Sequence, residues 1–170
     1  AFSGVPTFKE FFAVKALPNP SVLRILKEEG CGVDCASWTE LMLAKACGFS
    51  GDEIMFSAND VPGEEFRLAR QPGATINLDD VTHVETLREN GGIPEEICLR
   101  FNPGGTFRIG NTIMGDPGDA KYGMTREQLS EALKKMIPDG LKKFGLHAFL
   151  SSNTTDPLYY PALAKLLFTV

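Results

Sequence analysis

Six times along this 170-residue chain a short β-like run is followed by a longer helical one. The strand candidates are Phe11–Lys15, Gly32–Ala36, Glu53–Ser57, Ala74–Leu78, Glu96–Phe101 and Phe144–Leu150. Strand–helix alternation with short turns predicts an α/β fold, a parallel sheet covered by helices. Two closures compete, an open doubly wound sheet and a (β/α)8 barrel. No GxGxxG follows the first strand, which weighs against a dinucleotide site. In either closure chemistry belongs at the C-terminal ends of the strands, where Lys15, Arg100 and the end of the sixth strand lie.

Helix signals punctuate the pattern. Asn19 with Pro20 opens the first helix, and Gly30 ends it. Ser37 with Glu40, and Thr125 with Gln128, have capping-box spacing. Asp79 or Asp80 opens the helix that runs to Glu89. A long stretch from Asn102 to Met124, rich in Gly and Pro, breaks the rhythm, and such loops in compact domains tend to be functional. The chain ends inside an apolar helical run, YYPALAKLLFTV, so residues 1–170, with about six βα units, are expected to be a fragment of a longer protein.

The net charge of -5 and the lack of a Lys/Arg run argue against nucleic acid as a partner. No apolar stretch approaches the roughly 20 residues that span a bilayer, so no membrane partner is expected. AFSGVPTFKE has neither a basic start nor an apolar run, which predicts no signal peptide and a cytoplasmic protein. Cys31, Cys35, Cys47 and Cys98 fit no zinc spacing and read as reduced thiols; no metal is expected.

Four stretches hold candidate chemistry. In EFFAVKA an apolar run ends on Lys15. At a strand end in a low-dielectric setting the amine is driven toward its neutral, nucleophilic form, as Schiff-base chemistry needs; the alternative is a lysine that snorkels outward. In GVDCASWTE, Asp34 is a mid-strand carboxylate that needs a partner, and Arg100 of ICLRFNPG is the natural one. Glu40 either completes its capping box or adds a second acid. In GLHAFLSSN, His147 and Phe149 share a strand face, and Ser151, Ser152 and Asn153 offer donors to an oxyanion or phosphate. A core histidine followed by a plain turn is the alternative.

FFAVKA, GVDCASWTEL, CLRFNPG, DAKYGM and GLHAFLSSN follow one another in the order and spacing of one family. The chain resembles the pyridoxal-phosphate-dependent decarboxylases of the alanine-racemase barrel type, over nearly all of its length. RFNPG and the long loop after it look most like the diaminopimelate decarboxylases, whereas GVDCAS is equally close to ornithine decarboxylases. The resemblance implies a partial (β/α)8 TIM barrel of the alanine-racemase type, with pyridoxal 5'-phosphate as cofactor and an amino acid as substrate. It implies that Lys15 carries the cofactor covalently, with Asp34, Glu40, Arg100 and His147 around it. Phe149 falls where the family has a ring-stacking histidine; a phenyl ring can stack but cannot titrate. Ser152 falls at the serine that meets the cofactor phosphate, and Lys121 at a lysine near a site shared in a homodimer. The family's phosphate loop, the acid that pairs with the pyridinium nitrogen and the C-terminal β-domain lie beyond residue 170. The 170 residues alone are therefore expected to be inactive and to hold cofactor weakly. Decarboxylation of meso-diaminopimelate to L-lysine is the implied reaction. Other readings are an ornithine- or arginine-type decarboxylase, a racemase of the same barrel type, and a non-catalytic regulatory relative.

Overall fold

A computed structural model of the chain describes residues 4–107 and 122–170. The chain divides into two compact units between Ile76 and Asn77. Strands β1 (Phe11–Ala13), β2 (Gly32–Cys35), β3 (Ile54–Phe56), β4 (Thr75–Leu78), β5 (Glu96–Arg100) and β6 (Lys143–His147) each pair in parallel with the next. Helices α1 (Pro20–Glu28), α2 (Trp38–Ala46), α3 (Gly63–Arg70), α4 (His83–Gly91), α5 (Arg126–Met136) and α6 (Tyr159–Leu167) follow the strands in turn. The alternation read from the sequence is thus present unit for unit.

In the first unit Phe12 pairs with Val33 and Val33 with Ile54, while Phe56 pairs with Ile76 at the start of β4. Its core holds Val14, Leu23, Val33, Ile54, Phe56 and Phe66 with essentially no exposure. Each such side chain contributes about 1.5–3 kcal/mol through removal from water. The rings of Phe56 and Phe66 meet edge to face with centroids 6.4 Å apart. Asn19 caps α1 as expected, its Oδ1 accepting from Ser21 N at 2.9 Å. Lys27 near the end of α1 reaches Glu53 just before β3 at 2.7 Å, and this bond holds the Glu53 carboxyl below its ordinary range.

In the second unit Asn77 and Leu78 pair with Cys98 and Leu99, and β5 and β6 run in register from Glu96↔Lys143 to Arg100↔His147. Leu78, Leu87, Leu99, Met124 and Met136 form its buried centre. The Thr125–Gln128 capping box is present in full. Beyond β5, Phe101 makes an isolated bridge to Met124, so both ends of the long loop are tied to the strand. Between them Gly104–Thr106 forms one 3-10 turn, and Lys121 lies outside the described residues.

Three expectations need correction. Strand β1 stops at Ala13, and Val14–Ala16 form a 3-10 turn, closed when Leu17 N donates to the Val14 carbonyl at 3.2 Å. Val14 is fully buried in that turn and Lys15 is exposed in it. Strand β6 stops at His147, not Leu150. Phe101 N still bonds the His147 carbonyl at 2.7 Å, but β5 itself ends at Arg100, so Arg100↔His147 is the last register pair of the two strands. Glu40 does not close a strict capping box. Ser37 Oγ accepts from Glu40 N, but the Glu40 carboxylate takes Ala36 N at 2.7 Å, one residue further back.

Gly32 is required by close approach, because a Cβ there would lie 2.6 Å from the Phe11 ring and 2.8 Å from the Glu53 carbonyl. Gly32→Ala is expected to destabilise the fold by about 1–3 kcal/mol, the usual cost of overpacking. A lowered urea midpoint checks this, and an unchanged midpoint would show that β1 yields freely.

Candidate active site

In the first unit the candidate residues stand at the ends of β1 and β2. Lys15 is exposed in the 3-10 turn that β1 runs into. The low-dielectric strand-end setting expected for it is absent, and its amine is accessible from solvent. Asp34, partly buried, holds the place in β2 opposite Ala13 of β1 and Met55 of β3. Glu40 fastens the exit of β2 to the first turn of α2. Cys35 lies between the two acids. Burial first, then the charges of Glu40 and Asp34, push its thiol up to about 12. The thiolate, the reactive form, is thereby suppressed.

In the second unit a polar cluster gathers at the C-terminal ends of β4, β5 and β6. Arg100, at the end of β5, donates from Nη1 to Asp79 Oδ1 at 2.8 Å, with the side chains only 14% and 7% exposed. The carboxylate that Arg100 meets within its own unit is Asp79, which the sequence motifs did not mark. Nη2 of Arg100 reaches the Phe149 carbonyl at 3.4 Å, and its guanidinium lies over the Tyr122 ring, 5.0 Å from the centroid. Asp79 Oδ2 faces the backbone N–H of Gly123 at 3.5 Å. Asn102 fixes the same segment, donating to the Tyr122 carbonyl at 2.9 Å and accepting from Gly104 N at 2.8 Å.

His147 pairs in register with Arg100. Its Nδ1 is 3.1 Å from Nδ2 of the buried Asn77. With that amide nitrogen donating, Nδ1 accepts, and the single proton of the neutral ring sits on Nε2. Burial, then the charge of Arg100, lowers the imidazole to about 4. Phe149 lies beyond the strand and is 45% exposed, so it does not share a strand face with His147. Ser151 is buried and Ser152 partly so, in a turn whose Asn153 has φ +53, a left-handed conformation that asparagine tolerates. The hydroxyl of buried Tyr159 accepts from Leu150 N at 3.1 Å and ties that turn to α6.

The structure thus brings Arg100, His147 and the Phe149 backbone together and adds Asp79, Asn77, Asn102 and Tyr122, which the motifs did not mark. One signal for Asp79 was available. Two adjacent acids stand at a strand end, and the helix needs only one. Asp80 Oδ1 takes Thr82 N at 2.8 Å and Thr82 Oγ1 at 2.6 Å, which leaves Asp79 for Arg100. Among the described residues no cluster of His, Cys, Asp and Glu could hold a metal ion, and no helix is long and apolar enough to cross a membrane.

Two outcomes follow from the shifted groups. His147 takes up a proton near its ordinary 6.5 when unfolded but only near 4 when folded. The unfolded state binds more protons in that window, so stability is complete above it and falls by at most about 3 kcal/mol as pH drops through it. Urea midpoints measured across this range should flatten in His147→Gln; an equally steep slope in the variant would assign the effect elsewhere. Cys35 should escape iodoacetamide at pH 8 until the protein is denatured, read by peptide mass spectrometry. Labelling of the folded protein would refute the suppressed thiolate.

The family described as "Pyridoxal-dependent decarboxylase, pyridoxal binding domain" matches residues 2–170. Protein TabA of Pseudomonas amygdali pv. tabaci is 34% identical over 146 residues, which cover 86% of this chain and 34% of TabA. Diaminopimelate decarboxylase of Methanothermobacter thermautotrophicus is 33% identical over 159 residues, which cover 92% of this chain and 37% of that protein. In fold, the crystal structure of diaminopimelate decarboxylase from M. jannaschii in co-complex with L-lysine matches with a TM-score of 0.79 at 23% identity, over 95% of this chain and 39% of that one. The chain spans between a third and two-fifths of the length of these proteins. Its six parallel βα units are part of a (β/α)8 barrel of the alanine-racemase type. With the match running from residue 2 to residue 170, the chain belongs to the pyridoxal-dependent decarboxylases, through their pyridoxal-binding domain.

Proposed function

We propose that the whole protein removes the carboxylate of meso-diaminopimelate as CO2 to give L-lysine, with pyridoxal 5'-phosphate as cofactor. The observation that carries this reading is the likeness to a diaminopimelate decarboxylase across 92% of the chain. Residues 1–170 are then the N-terminal part of the cofactor-binding barrel domain, and the rest of the barrel and a C-terminal β-domain come from further sequence.

The donor set suits an anionic aromatic aldehyde. Lys15 is a solvent-accessible amine, able to condense with a carbonyl. Arg100 is a cation fixed at a strand end, and His147 is an uncharged donor beside it. Bound pyridoxal phosphate supplies the electron sink for the pair left when CO2 departs. In this reading Lys15 holds the cofactor, and Asp34, Arg100 and His147 supply polar contacts. Phe149 stacks its exposed ring on the cofactor. Ser152 donates to the phosphate, and Lys121 serves a site shared across a homodimer. The same reading makes the protein cytoplasmic. An ornithine- or arginine-type substrate is the second reading, since the GVDCAS stretch is equally close to ornithine decarboxylases.

The full-length protein, loaded with pyridoxal phosphate, should release CO2 from meso-diaminopimelate faster than from ornithine or arginine. Preference for ornithine or arginine would move the substrate to the second reading, and release from none of them would favour a non-catalytic relative. Lys15→Ala should abolish the visible absorbance of lysine-bound cofactor together with CO2 release. Retention of that absorbance would remove Lys15 from its role.

A further inference from the structure

We propose that Asp79 is a positioning residue of the cofactor site, acting through Arg100 on the turn that carries Phe149 and Ser152. This rests on the pyridoxal-phosphate reading of that turn. Asp79 is 5% exposed at the end of β4, and its neighbour Asp80 already makes the turn that opens α4. The Asp79 carboxylate is thus spare for another task. One oxygen takes Arg100 Nη1 at 2.8 Å, and the other faces Gly123 N at 3.5 Å. Gly123 suits this approach, because it has φ +83 and a Cβ there would lie 3.2 Å from the Asn102 backbone nitrogen.

A guanidinium is planar and rigid, so fixing one terminal nitrogen sets the direction of the other. Nη2 points to the Phe149 carbonyl at 3.4 Å, while the Tyr122 ring limits motion out of the plane. The contacts therefore run from Asp79 through Arg100 to the backbone at Phe149, within one unit of the chain. Asparagine in place of Asp79 keeps the shape but removes the counter-charge. A largely buried Arg100 would then turn toward other oxygens, and the Phe149 carbonyl would lose its fixed donor.

The test uses the full-length protein and follows the pyridoxal phosphate dissociation constant and the visible circular dichroism of the bound cofactor. Asp79→Asn and Arg100→Gln are each expected to weaken binding about tenfold or more, as when a group that orients a metal ligand is lost, and to change the dichroic band. The double variant should be no worse than Arg100→Gln alone, because Asp79 acts through Arg100. Asp79→Glu should restore part of the band. Independent, additive losses would overturn the proposal. So would a lowered melting temperature with unaltered affinity and dichroism, the mark of a purely structural ion pair. If Asp79→Asn does not fold, Arg100→Lys carries the test, since it keeps the charge but loses the planar fork; an unaltered band in that variant overturns the proposal. If the wild-type protein binds no pyridoxal phosphate, the decarboxylase reading falls and this inference with it. Wild-type binding with indifferent variants defeats the inference alone.

Discussion

Two parallel strands cannot be joined by a tight turn; the chain must cross back over the sheet first. Every strand pair here is parallel, so every link contains a helix, and each strand delivers its last residue to a loop rather than to a hairpin. The candidate chemistry follows from that constraint. Lys15 leaves β1, Ala36 leaves β2, Asp79 leaves β4, Arg100 closes β5 and His147 closes β6. Apolar side chains along the strands supply the stability. The strand ends, where the ladder finishes, are where polar groups can stand without breaking it.

Charge then organises the second unit locally. Asp79 and Arg100 are both largely removed from water, a state in which either alone would be costly. Together they form a neutral pair with backbone and aromatic neighbours on the remaining sides. His147, beside the cation, stays uncharged and is oriented by an amide rather than by a carboxylate. In the first unit acids dominate instead, and Cys35 between Asp34 and Glu40 is held as an inert thiol.

The sequence was most legible where a local rule and the global pattern agreed. Asn19, Ser37 and Thr125 each begin a helix because capping depends only on neighbours a few residues away. The number and type of strands were legible for the same reason. Strand ends were not, because they depend on where the partner strand turns. β5 ends at Arg100, and β6, paired with it, stops at His147, short of Phe149. Asp79 as a partner of Arg100 was also missed, because which side chains meet is set by spatial register, which a linear reading lacks. Asp79 was hidden by an adequate local explanation as a helix cap.

The neutral state of His147 has a wider bearing. Histidine is the side chain most often used to sense acidity, since its ordinary proton affinity lies within the range that cells traverse. Here burial and a neighbouring guanidinium carry that affinity out of the range altogether. Between mild acid and mild alkali the imidazole keeps one charge state and one pattern of donor and acceptor. In the folded protein the imidazole adds no charge to the strand ends over that range, and mild acid reaches it through the unfolded chain, whose imidazole takes up the proton first.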